Sequence, residues 1–112
     1  MGMQFDQLDD LVCARLSGRL DSNNAAVVEQ ALLERIQEGH SRLVIDLTDL
    51  NYISSAGLRV FLLVAKRLRQ QQGKLSLCNM PRTIKQVFEI SGFTAILKVC
   101  DNFDNACAAV RQ

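Results

Sequence analysis

In "LVIDLTDLNYISSAGLRVFLLVAKRL", residues 43–68, two adjacent hydroxyls, Ser54 and Ser55, stand between a polar stretch and a strongly apolar one. Such a serine can act as a nucleophile, cap a helix by accepting a backbone N–H, or accept a phosphoryl group from another protein. The first role needs an activating base. The only histidine, His40, lies in a polar connection with no acid placed to orient it, and no GxSxG elbow occurs. Neither a GK[ST] phosphate loop nor a GxGxxG turn is present. Asp46 and Asp49 lie near the carboxyl end of an apolar run, where they could ligate magnesium or fix a turn by accepting backbone N–H groups. Cys13, Cys78, Cys100 and Cys107 lack CxxC spacing, so they read as buried reduced thiols rather than zinc ligands. No catalytic residue, metal or cofactor is therefore expected.

Composition narrows the classes further. The chain has 112 residues, net charge +1 and 48% apolar residues, enough to build a core. Aromatics are 5%, Trp is absent and no Lys/Arg run occurs, which argues against direct nucleic-acid binding. No apolar run reaches the roughly 18 residues of a membrane span. The opening "MGMQFDQLDD" is acidic where a signal peptide is basic and then apolar. Gly2 is followed at position 6 by Asp rather than Ser or Thr, so it does not fit myristoylation. A cytoplasmic protein with no membrane segment is expected.

The elements that position the serines follow from periodicity. "MQFDQLDDLVCARLSG" predicts two strands joined at Asp9-Asp10, with Val12, Ala14 and Leu16 on one face and Gly18 as the end. "DSNNAAVVEQALLERIQEGH" predicts a helix capped by Ser22, Asn23 or Asn24 and stopped at Gly39. "RLVIDL" predicts a buried strand ending near Asp46, followed by a polar loop. "SSAGLRVFLLVAKRLRQQQG" predicts a helix closed by Gly73 and bearing two adjacent apolar stripes. One runs through Leu58, Phe61, Leu62, Ala65 and Leu68, the other through Val60, Leu63, Val64 and Arg67. Neighbours covering two sides, or a partner face beside the serines, would explain that breadth. "KLSLCN" and "AILKV" predict strands, "PRTIKQVFEISG" and "NFDNACAAVRQ" helices, the last with Asn102 as cap. The order β-β-α-β-α-β-α-β-α is that of an α/β domain spanning residues 1–112, largely parallel, with a hairpin at one edge.

At that strand-to-helix junction the free N–H groups and partial positive charge of a helix start favour an anion by roughly 0.3–1 kcal/mol. A phosphate on Ser55 is thus tolerated by the domain. In an interface it brings about −1.5 to −2 charges. A desolvated, unpaired charge costs roughly 2–5 kcal/mol, roughly a 30- to 5000-fold loss of affinity.

"DLTDLNYISSAGLRVFL" resembles the signature of the STAS-domain anti-sigma factor antagonists: a strand ending in Asp-Leu-Ser/Thr, a loop with an aromatic, then a serine and Gly-Leu opening a helix. "GRLDSNNAAVVEQAL" and "VFEISGF" resemble two further stretches of that family. The likeness runs over about residues 4 to 110. It implies a four- to five-stranded mixed sheet with about four helices packed mostly on one side. It also implies partner switching. In that family the unmodified protein binds a serine kinase/anti-sigma factor of the histidine-kinase-like ATPase type and releases that protein's client, and the same is expected here. Phosphorylation of the motif serine ends binding, and a PP2C-type phosphatase restores it. By position the acceptor is Ser55. Ser54 stands where some members have Asp, and it is the alternative acceptor. Tyr52, Ile53, Leu58, Val60 and Arg59, with Asp21 and Asn51, are the expected rim of the partner contact around Ser54 and Ser55. A non-phosphorylated STAS subunit of a membrane transport system that docks on its ATPase is the competing expectation; a small-ligand or nucleotide-binding domain, or a minor enzyme, is a third.

Overall fold

The computed structural model describes Met1–Gln112, and its elements follow the predicted order. Strands β1 (Gly2–Leu8) and β2 (Leu11–Leu20) form a hairpin. Then come α1 (Ala25–Gln37), β3 (Arg42–Ile53), α2 (Ser55–Gln70), β4 (Lys74–Cys78) and α3 (Arg82–Ile90). A single 3-10 turn (Phe93–Ala95), β5 (Val99–Cys100) and α4 (Phe103–Val110) complete the chain. The strands lie side by side in chain order, β1-β2-β3-β4-β5, antiparallel in the hairpin and parallel beyond it.

That order dictates where the helices go. Crossovers between parallel strands are right-handed, so crossovers that all step in one direction stack their helices on one face. Helices α1, α2 and α3 obey this: Val28, Leu32, Phe61, Val64, Ile84 and Phe88 pack with the sheet face formed by Val12, Ala14, Leu16, Leu43, Ile45 and Leu77. Phe61 and Phe88 stack with centroids 6.1 Å apart at the centre of that core. Helix α4 does not connect two of these parallel strands, so the rule does not place it. It covers the other face through Ala106, Cys107 and Val110, against Leu11, Cys13, Val44 and Cys78. The buried Ser76 hydroxyl donates to the Ala106 carbonyl at 2.9 Å and fixes that helix to β4.

Several boundaries differ from expectation. Strand β2 does not end at Gly18 but runs through it at φ +85° to Leu20. Strand β3 does not give way to a loop at Asp46 but continues to Ile53. Its buried residues show how. Leu43, Ile45 and Leu47 step by two, the strand period; Leu47, Leu50 and Ile53 step by three. Register explains the change. From Arg15↔Asp46 to Ser17↔Asp49, and again from Gly18↔Leu50 to Arg19↔Tyr52, β3 advances one residue more than β2. Each surplus residue is a bulge that keeps a leucine or isoleucine inward and sharpens the twist. The last strand shrinks from the predicted "AILKV" to Val99–Cys100, with Ile96 exposed. Asn24 stands at the α1 start but does not cap its N–H groups. Its Oδ1 accepts from the Asp21 N–H at 3.0 Å and its Nδ2 donates to the Arg19 carbonyl at 2.7 Å, binding the β2–α1 connection together. At the end of α2 the left-handed residue is Gln72, and Gly73 serves close approach instead, since a Cβ there would lie 2.4 Å from the Ser41 carbonyl oxygen.

Candidate functional site

The two bulges in β3 set the site. With Leu47, Leu50 and Ile53 held inward, Thr48, Asp49, Asn51 and Tyr52 are left on the surface. The strand ends against β2, where the Ser54 N–H donates to the Leu20 carbonyl at 2.9 Å. Helix α2 starts immediately afterwards, pressed onto the same carbonyl. A Cβ on Gly57 would lie 2.8 Å from Leu20 Cγ, 2.9 Å from Ile53 Cγ1 and 3.1 Å from the Leu20 oxygen. Only glycine lets the first turn of the helix sit this close to both strands.

The two serines have separate roles in this geometry. Ser54 is extended (φ −96°, ψ 174°) and half-buried, and its Oγ accepts the Gly57 N–H at 3.3 Å, the geometry of an N-cap. Ser55 is the first residue of α2. It is exposed, and its hydroxyl has no hydrogen-bond partner within the chain. It sits at the positive end of a 16-residue helix whose last turn carries Arg67 and Arg69, cations that suit the negative end of its dipole.

Of the residues expected around the serines, Asn51, Tyr52 and Arg59 are exposed and Asp21 is half-buried. Ile53, Leu58 and Val60 must be removed from the rim. They are 4%, 5% and 2% exposed and belong to the core beneath it. The breadth of the apolar face of α2 has the same origin, because α1 packs along one side of the helix and the sheet lies under the other. Leu63 alone among its large aliphatic residues is exposed.

Asp46 is occupied within the strand. Its Oδ1 accepts from the Thr48 N–H at 3.0 Å and the Thr48 hydroxyl at 2.6 Å, while Oδ2 lies 3.7 Å from Arg15 Nε. These contacts hold the first bulge. No three His, Cys, Asp or Glu side chains converge in a way that could hold a metal ion. The four thiols are free; burial pushes that of Cys13 up to about 11 and that of Cys78 up to about 12, so both stay protonated at neutral pH.

One surface residue escapes sequence reading. Arg19 is the register partner of Tyr52 beyond the second bulge, and its guanidinium carbon lies 4.0 Å from the centre of the tyrosine ring. Its Nε is 3.7 Å from Asp21 Oδ2. Nothing in the local spacing pairs positions 19 and 52; the register shift in β3 brings them together.

The model of the STAS domain matches residues 3–106. The chain belongs to the STAS-domain family. Among relatives of this STAS domain is a Bordetella bronchiseptica protein, BtrV, named as a candidate anti-sigma factor antagonist. It is 46% identical over 99% of this chain and 96% of its own length. The anti-sigma-B factor antagonist of Listeria monocytogenes is 36% identical over 75% of this chain and 74% of its own. The fold is also that of the Bacillus cell fate determinant SpoIIAA solved in its phosphorylated form. That structure has a TM-score of 0.76 and 20% identity, and the match covers 99% of this chain and 100% of that one. No helix of the STAS domain is long and apolar enough to cross a membrane.

Proposed function

We propose that this STAS domain is an anti-sigma factor antagonist that works by partner switching, with Ser55 as the phosphoacceptor. The observation that carries the reading is the division of labour at the start of α2: Ser54 caps the helix and Ser55 points a free hydroxyl into solvent. The names of the two relatives support the antagonist role. Transfer needs no base in this chain. Ser55 Oγ attacks the γ-phosphorus of ATP held with magnesium by a serine kinase/anti-sigma factor, ADP leaves, and the hydroxyl proton passes to the kinase's own base. Water attack on the phosphoserine, catalysed by a PP2C-type phosphatase, returns the hydroxyl and releases inorganic phosphate. An ATP-driven switch with free thiols fits the cytoplasm.

The partner surface follows from exposure. Asn51, Tyr52, Ser55 and Arg59, with Asp21 and the edge of Ser54, form a polar rim over a rigid base of Ile53, Leu58 and Val60. Unmodified, that rim can dock. Once phosphorylated, it carries solvated oxygens that docking must strip of water. The test is incubation with the serine kinase and ATP, followed by peptide mass spectrometry. One phosphate on Ser55, lost in Ser55→Ala and kept in Ser54→Ala, is expected. Modification of Ser54, or none at all, would overturn the assignment.

A further inference from the structure

The charges around Ser55 say what kind of surface the kinase presents. Two exposed cations flank the serine: Arg59, four residues on and so one turn along the same side of α2, and Arg19 on β2. Arg59 has no ion-pair partner. Asp21 lies beside Arg19, while Asp49, opposite Ser17, lines a groove with Arg15. Arg15 is shared between Asp6 and Asp46 four residues down β2. That is roughly 13 Å away, beyond a Debye length of about 8 Å. Asp21 offsets Arg19 while Arg59 is left without a counter-charge, so the local rim is positive. A phosphate of about −1.5 to −2 charges outweighs that excess and reverses its sign.

Arg19 is also the best-prepared group on this surface. Tyr52 holds its guanidinium at 4.0 Å, Asp21 engages its Nε at 3.7 Å, and Asn24 fixes its carbonyl at 2.7 Å. The side chain nonetheless remains 61% exposed. A guanidinium ordered by a ring face, with its terminal N–H groups in solvent, loses little freedom on meeting a carboxylate. Arg and Tyr are also the residue types that dominate interface energies.

We infer that the kinase face that meets Ser55 is acidic, and that Arg19 and Arg59 recognise it. This inference rests on Ser55 being the acceptor, and it adds a direction. Reversal of the rim's sign turns attraction into repulsion only if the opposing surface is negative; against a basic surface the phosphate would tighten the complex. Arg19 is then a specificity residue that selects the partner without taking part in the chemistry.

The experiment measures the Kd of the unphosphorylated protein for its purified cognate serine kinase/anti-sigma factor, for wild type, Arg19→Lys, Arg19→Glu and Arg59→Glu. Each is titrated at about 50 and about 500 mM salt, with circular dichroism to verify folding. Arg19→Glu and Arg59→Glu are each expected to weaken binding at least about tenfold at low salt, Arg19→Lys by only a few-fold, and high salt to weaken wild type most. Equal or tighter binding by both Glu variants, or a wild-type Kd indifferent to salt, overturns the inference. If wild type still acquires its phosphate on Ser55 in that case, the partner-switching reading survives alone. If wild type acquires none, both fall. Should Arg19→Glu fail to fold, Arg59→Glu carries the test, since that residue is exposed and unpaired.

Discussion

Removing the Ser54 hydroxyl takes away the acceptor of the Gly57 N–H, whereas removing the Ser55 hydroxyl takes away no contact at all. Ser54→Ala is therefore expected to lower stability by about 1 kcal/mol, the usual cost of losing a serine N-cap, and Ser55→Ala to leave it nearly unchanged. Urea unfolding of the two variants checks this; equal losses would contradict the separate roles given to the two oxygens. Thiol chemistry offers a second residue-scale prediction. Burial raises the Cys13 and Cys78 thiols to about 11 and about 12 and raises that of Cys107 too, while Cys100 is only partly covered at the edge of the sheet. A thiol reagent added to the native protein at about pH 8 should label Cys100 first, and the other three only on unfolding. Rapid labelling of Cys13 would mean that α4 does not stay on its face of the sheet.

Helix α2 and strand β3 place the serine, and Gly57 is where they touch. A Cβ there would press into Leu20 and Ile53 at 2.8 and 2.9 Å, and the Leu20 carbonyl that holds Ser54 cannot move aside without releasing it. Gly57→Ala is expected to cost on the order of 1–3 kcal/mol, as overpacking of a filled site does, and to slow phosphorylation of Ser55 because the helix start shifts. A Gly57→Ala protein with wild-type stability would show that the first turn has slack the packing denies. Helices were legible at this scale because their ends are chemical. Ser54 before α2 and Asn102 before α4 accept backbone N–H groups, and Gly39 and Gly92 take left-handed φ values of +100° and +80°. The upper half of β3 was not legible. A bulged strand buries Leu47, Leu50 and Ile53 three apart, which matches neither the strand period nor the helix period, so the segment reads as loop. The same blind spot turned Ile53 into a surface residue. Leu58 and Val60 were misplaced for a different reason: a helix flanked on two sides has more than one buried stripe, and only tertiary packing shows which.

Across the whole molecule the sequential strand order sends three helices to one face and leaves α4 to close the other. The alternation of elements announces the α/β class and the edge hairpin; that the helices gather mostly on one side is implied only by the resemblance to the STAS family. What ties the far end together was not visible, because its partners are remote in sequence. Asp10 in the hairpin turn accepts from Arg42 at the start of β3 at 2.7 Å and from Arg111 after α4 at 3.0 Å. The Arg111 hydrogen bond holds the Asp10 carboxyl below its ordinary 3.8, aided by the charges of Arg111 and Arg42. A carboxyl depressed in the folded state contributes stability above its unfolded pKa and loses it as pH falls through the folded value. The stability gap between wild type and Asp10→Asn should thus be widest near about pH 6 and close below about pH 4; the cluster is exposed, so the gap itself is small. A gap that widens in acid would contradict the pairing. At the opposite end, we propose, the domain would keep its fold with a phosphate on Ser55 while the surface it offers a partner would change. The most direct test is to prepare the protein stoichiometrically phosphorylated on Ser55 and titrate both forms into the serine kinase, recording circular dichroism of each. Identical spectra with at least a roughly 30-fold weaker Kd for the phosphorylated form are expected. Equal affinity of the two forms would contradict the account.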